Sequence, residues 1–189
     1  MILGILLAAG AARRMGCDKL ELPWRGSTVL SSTLARWTAV QELDEIWLVR
    51  RQHSPEIQLP RVRTLFNAGA DEGMGSSLRL AAQSAPPHCE AVVVGLADMP
   101  EIGSDTISAL VEAWRRFGPA GIVAPVLGAQ RGHPVVFGAA HFPALQALVG
   151  EGGARSILRD HADDLHLVDV DDPGILLDLD TPADLEQQP

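Results

Sequence analysis

The chain opens on an unbroken apolar run, Met1 to Leu7 (M-I-L-G-I-L-L), which passes directly into L-L-A-A-G-A-A-R-R-M-G-C-D-K over residues 6–19. A run of this length and branching is what a strand buried on both faces needs, and such strands belong to parallel sheets covered by helices. The small residues and glycine that follow let the backbone approach a polyanion, and Arg13, Arg14 and Lys19 surround it with cations. A triphosphate held beyond the first strand of an α/β fold is the expectation. Two common phosphate loops do not fit. A Walker A loop has four residues between its glycines and then Lys, whereas five separate Gly10 from Gly16 here and Cys17 follows. The dinucleotide fingerprint G-x-G-x-x-G also fails, because Gly10 has no glycine two residues on.

Composition narrows the class. At 189 residues and 47% hydrophobic, the chain suits one domain, 1–189, with a sizeable core. A net charge of −9 argues against binding nucleic acid or an anionic membrane, since both need a basic face. Cys17 and Cys89 have no C-x-x-C spacing, so neither a zinc site nor a disulfide scaffold is indicated, and a reducing cytoplasm fits. The apolar start lacks a basic leader and is interrupted by Gly10 and Arg13, which favours a strand over a signal peptide or a membrane span.

Further along, Ser27 is placed to cap a helix with Val29, Leu30, Thr33, Leu34 and Trp37 at helical spacing. Glu45–Arg50 and Val62–Phe66 read as strands. The glycine-rich 67–79 leads into a helix ending near Ser84. Ala91–Leu96 reads as a central strand that stops at Ala97-Asp98-Met99-Pro100. Ser104 then caps a helix with Ile107, Leu110, Val111, Trp114 and Phe117 on one face. Gly121–Val126 is a strand, and Arg131-Gly132-His133-Pro134 is a turn before an apolar strand starting at Val135. Helices over 141–149 and 156–161, a strand over 165–170, and an aspartate-alternating strand from Ile175 complete the pattern. Alternating strands and helices imply a parallel sheet.

Leu7, Ala8, Gly10, Arg14, Met15, Gly16 and Lys19 match the L-A-x-G-x-x-x-R-M-G-x-x-K signature, so the chain resembles nucleotidyltransferases of the molybdenum cofactor guanylyltransferase-like family. Three later motifs keep the family's order: Asn67 to Leu78, the L-x-D-M-P around Asp98, and D-x-D-T-P-x-D-L from Asp178. The resemblance implies a Rossmann-like three-layer α/β sandwich with a mostly parallel sheet, of the nucleotide-diphospho-sugar transferase type. It implies Lys19, Arg14 and Asp98 as catalytic residues, and nucleotide contacts from Leu7, Ala8, Ala9, Gly10, Arg14, Lys19, Asn67, Gly73 and Ser77. Magnesium on Asp98 and Asp178 follows from the same source. Bland alternatives stand beside these: a helix capped by Ser76, a turn aspartate at 98, and helix-capping roles for Asp180 and Asp184.

G-H-P-V at 132–135 and G-E-G-G-A-R at 150–155 resemble the branch acting on the molybdenum cofactor, which implies His133 and Arg155 at the acceptor. A backbone-satisfied histidine and a solvated arginine are the alternatives. Guanylyl-transferring members tend to carry L-A-G-G where this chain has Leu7-Ala8-Ala9-Gly10, and the alanine resembles cytidylyl-transferring members. The implied reaction moves a cytidylyl group from CTP to molybdenum-bound molybdopterin, with a molybdenum hydroxylase or its chaperone as recipient. GTP or another phosphate acceptor, a non-catalytic cofactor-delivery module and a nicotinamide oxidoreductase are the competing classes.

Overall fold

The structure, a computed structural model, describes residues 1–10, 18–150 and 152–179. Arg13, Arg14, Met15, Gly16, Cys17, Glu151, Asp180, Thr181, Pro182 and Asp184 lie outside the described residues. The elements in chain order are β1 (Ile2–Leu7), the short pair β2 (Pro23–Trp24) and β3 (Ser27–Thr28), α1 (Val29–Ala39), β4 (Glu45–Arg51), β5 (Val62–Asn67) and α2 (Met74–Ser84). There follow β6 (Ala91–Leu96), α3 (Ser104–Phe117), β7 (Ile122–Leu127), β8 (Gln130–Arg131), β9 (Val135–Gly138), α4 (Phe142–Gln146), α5 (Arg155–Asp160) and β10 (Leu165–Asp169).

The main sheet has the order β10-β7-β9-β6-β1-β4-β5, with β8 paired to β7. β1 is central and runs parallel to both β4 and β6, with Gly4 beside Ile46 and Val93. The sheet is mixed rather than wholly parallel, because β9 runs antiparallel to both β6 and β7. That reversal follows from the short Gly132–Pro134 connection, which returns the chain without a crossover helix.

Two apolar clusters cover the two faces of the sheet. On one face Leu30, Leu34 and Trp37 of α1 and Ile107, Leu110 and Trp114 of α3 pack on Leu6, Ile46 and Val93. On the other, Leu78, Ala81 and Ala82 of α2, Leu145 of α4 and Ile157 and Leu158 of α5 pack on Leu3, Ile5 and Val92. The fit of α1 depends on two glycines: a Cβ at Gly4 would stand 3.1 Å from the Trp37 ring, and one at Gly95 would run into it. Both strands therefore leave a slot in which the fully buried Trp37 lies.

Several expected boundaries shift. Thr28, not Ser27, caps α1, its hydroxyl accepting from the Ser31 amide, and Gly103, not Ser104, precedes α3. The helix expected over 141–149 is confined to Phe142–Gln146, where Pro143 occupies the first turn. Among the described residues no strand carries Asp178: Pro173–Leu176 is a 3-10 turn capped by Asp172, which accepts from the Gly174 amide.

Candidate active site

The carboxyl ends of β1, β4 and β6 converge on one cleft of about 390 Å³. Ligands in open α/β sheets sit there because the chain leaves each strand at that edge, free to wrap a ligand. Backbone bonds hold the edge together beyond the strands: the Ala8 amide donates to the Val49 carbonyl at 2.8 Å, and Ala97 to Leu7 at 3.1 Å. Thr33 of α1 donates its hydroxyl to the Ala97 carbonyl at 2.9 Å and so pins the residue before Asp98.

Lys19 arrives on a 3-10 turn, Lys19–Glu21, that is fixed on three sides. Asp18 caps it by accepting from the Leu20 amide, and Leu20 is buried in the core. Glu21 accepts from the guanidinium of Arg50, which is 1% exposed and also donates to the Pro55 carbonyl. The Lys19 ammonium is thereby set 2.5 Å from Asp98 Oδ2, with both side chains largely screened from solvent. The other oxygen, Asp98 Oδ1, is buried with no hydrogen-bond partner among the described residues. A buried carboxylate oxygen of this kind is costly unless something cationic binds it. Asp178 reaches the same cleft on the C-terminal strap, which is tied down by the Leu179 amide donating to the Asp98 carbonyl at 3.1 Å. One orphaned oxygen with a second carboxylate beside it suits a hard divalent ion that completes its shell with phosphate oxygens and water.

Of the residues singled out in the sequence, Leu7, Ala8, Ala9, Gly10, Lys19, Gly73, Ser77, Asp98 and Asp178 line the cleft. Asn67 stands behind the wall. Its amide nitrogen donates to the Ser76 and Ser77 hydroxyls, both at 2.9 Å, and its Oδ1 accepts from the Gly69 amide. Its hydrogen-bonding groups are thus spent in bracing the 67–77 loop. His133 is half-buried and close enough to Asp98, Asp178 and Arg155 to feel their charges. Burial pushes its imidazole below the usual range, Arg155 pushes the same way, and the two carboxylates oppose them. Arg155 itself opens α5 and is exposed. Arg14 lies outside the described residues.

Sequence reasoning missed the supporting cast. Asp18, Arg51, Asp71 and Met74 also line the cleft, and Arg51 forks across Asp71 Oδ1 with both nitrogens at 3.1 Å. Arg51 ends β4 at the carboxyl edge of the sheet, so its place was in principle readable from the strand boundary. Among the described residues, no helix is long and apolar enough to cross a membrane.

Comparison with known proteins agrees with the fold. The chain is 32% identical to the purine catabolism protein PucB of Bacillus subtilis, over 98% of this chain and 94% of that one. It is 31% identical to the nicotine blue oxidoreductase of Paenarthrobacter nicotinovorans (95% and 92% covered). It is also 31% identical to a protein of Rhodopirellula baltica named as a probable molybdenum cofactor guanylyltransferase (97% and 90%). The crystal structure of Rv0371c from Mycobacterium tuberculosis superposes with a TM-score of 0.82 at 26% identity, covering 98% and 96% of the two chains. Rv0371c has also been solved in complex with manganese, at a TM-score of 0.76, 24% identity and 99% coverage of both chains. The family model described as the MobA-like NTP transferase domain matches residues 4–165, and with relatives above 30% identity along nearly its whole length the chain belongs to that family.

Proposed function

We propose that the protein transfers a cytidylyl group from CTP to the terminal phosphate of molybdenum-bound molybdopterin and releases pyrophosphate. An oxygen of the acceptor phosphate attacks the α-phosphorus, the bond to the β-phosphate oxygen breaks, and the pyrophosphate leaves with its electron pair. No covalent enzyme intermediate is needed. The observation that carries this reading is the meeting of Lys19 with Asp98, whose other oxygen is orphaned, at the mouth of the glycine-containing Leu7–Gly10 segment.

Each residue then has work suited to its chemistry. The Leu7–Gly10 backbone comes close to the triphosphate, and Lys19 turns from Asp98 to the α-phosphoryl oxygens as charge builds on them. Arg14, from the same segment, is assigned to the phosphates on the resemblance alone. Gly73 and Ser77 border the base, with Asn67 holding Ser77 in position. His133 and Arg155 are assigned to the acceptor. Asp98 and Asp178 would hold a divalent ion, for which we favour magnesium, and the ion would supply neutralising charge to the phosphate oxygens.

For the nucleotide, support for CTP is Ala9, a buried lining residue in the position where guanylyl-transferring members tend to have glycine. The Rhodopirellula relative favours GTP as the second reading. Incubation with molybdenum-loaded molybdopterin and each triphosphate, read by pyrophosphate release and by the dinucleotide formed, tests both. Product with CTP and none with GTP is the expected outcome, and the reverse overturns the preference. Nucleotide binding with no pyrophosphate would make the protein a delivery module. Capture of a molybdenum hydroxylase or its chaperone from a producing cell tests the recipient.

A further inference from the structure

β4 ends on two arginines whose side chains go to opposite faces of the sheet, because successive residues of a strand alternate. Arg50 follows Ile46 and Leu48 to the α1 face, where it lies under the Lys19 turn. Arg51 follows Trp47 and Val49, which share an apolar cluster with Leu78 and Ala81 of α2. It lines the cleft, yet neither the signature residues nor the transfer step described above uses it.

The strand register fixes how far Arg51 stands from the reacting centre. Leu7 pairs with Val49 on one side and with Leu96 on the other, so Arg51 and Asp98 each lie two residues past the same level. β1 alone separates their strands, and two interstrand spacings put the two backbones about 10 Å apart. A nucleotide with its α-phosphate at Lys19 and Asp98 has room to extend its base toward Arg51, in the cleft that Gly73 and Ser77 also line.

The guanidinium is held ready for such a contact. Its two terminal nitrogens each donate to Asp71 Oδ1 at 3.1 Å, and Asp71 lines the same cleft. A guanidinium carries five N–H donors in a planar fork, which matches two adjacent acceptors. The side chains of the pair are 36% and 70% exposed, and ion pairs this exposed are held loosely. A base offering two acceptors can therefore displace one carboxylate oxygen.

We propose that Arg51 is a nucleobase specificity residue, taking two adjacent acceptor atoms of the base in exchange for Asp71. Cytosine presents such a pair in O2 and N3, and guanine in O6 and N7. Uracil places an N3–H donor between its carbonyls, and adenine sets its amino group beside N1 and N7. Either would leave part of the fork unmatched, so the cleft favours cytosine or guanine over uracil and adenine. This inference rests on the nucleotide-transfer reading above but not on its choice between CTP and GTP.

Calorimetric binding of CTP, GTP, UTP and ATP, with magnesium present, tests this in the parent protein, Arg51→Ala, Arg51→Lys and Asp71→Asn, each checked for folding by thermal melt. The parent is expected to bind CTP or GTP about tenfold or more tightly than UTP and ATP. In Arg51→Ala the preferred nucleotide is expected to weaken by about tenfold or more, with UTP and ATP changed by less than about threefold. Arg51→Lys, a point charge without the fork, should not restore the preference, and Asp71→Asn should keep it. A parent that binds all four alike, an equal loss of all four in Arg51→Ala, an unchanged ranking there, or full rescue by lysine overturns the proposal. No triphosphate bound at all overturns it together with the transfer reading, whereas selective binding without pyrophosphate release strikes that reading alone.

Discussion

Lys19, at the start of a 3-10 turn, and Asp98, just past the end of β6, meet with the ammonium 2.5 Å from carboxylate Oδ2, while Oδ1 stays buried and unpaired among the described residues. The pair holds both groups of an expected phosphoryl-transfer site in place before substrate arrives. Lys19→Ala is expected to lower turnover by about a hundredfold or more, since one preorganised charge-stabilising group is lost. Steady-state pyrophosphate release measures it, and an unchanged rate removes Lys19 from the mechanism.

Asp98→Asn keeps the shape of the side chain and removes its charge. Its divalent-ion requirement is expected to rise at least tenfold in concentration, with Asp178→Asn showing a smaller change because its side chain is exposed. Activity titrated against magnesium in both variants checks the ranking.

Gly132 holds the strap that carries Asp178. A Cβ there would run into the backbone of Ile175, whose carbonyl accepts from the His133 amide at 3.0 Å. Gly132→Ala is expected to cost on the order of 1–3 kcal/mol by overpacking and to depress activity as the strap is pushed off. Urea unfolding and turnover are the two measurements, and a variant unaffected in both would show that the strap is not held in this way.

Asn67→Ala removes three hydrogen bonds from the loop behind Ser77. A loss of about 1–3 kcal/mol is expected, from donors and acceptors left buried and unpaired. Nucleotide affinity falls with it, since Ser77 lines the cleft. Stability that drops with no change in affinity would confine Asn67 to a folding role.

The half-buried His133 gives the protein an acid-sensitive contribution to stability. Its pKa is lowered in the folded chain, so below the ordinary value of 6.5 the unfolded chain binds a proton that the folded one excludes. Stability from this residue is therefore full above pH 6.5 and falls as pH drops below it, levelling off under the folded pKa. Melting temperatures of the parent and His133→Asn at pH 7.5 and 5.5 should converge at the acid end if the variant is the less stable at neutral pH. Parallel curves would remove the assignment.

Much was legible in the sequence wherever one local pattern left a single solution. The apolar runs of β1 and β6 announce strands buried on both faces, and the stop at Asp98 puts a carboxylate at the ligand edge of the sheet. The strand expected from Ile175 misled, because an apolar run does not by itself fix a ladder partner. Pro173 and the Asp172 cap start a 3-10 turn over Pro173–Leu176 instead.

The sequence by itself determined a helix-covered sheet and a phosphate-friendly first loop, since apolar periodicity, glycine and charge act over neighbouring residues. Tertiary structure alone decided which distant side chains share an environment. It brought Lys19 to Asp98, turned Asn67 inward, buried Arg50 under the Lys19 turn, and set Arg51 against Asp71 at the cleft. Those pairings depend on strand order and on the reversal of β9, which are set by packing across the whole core and not by any one segment.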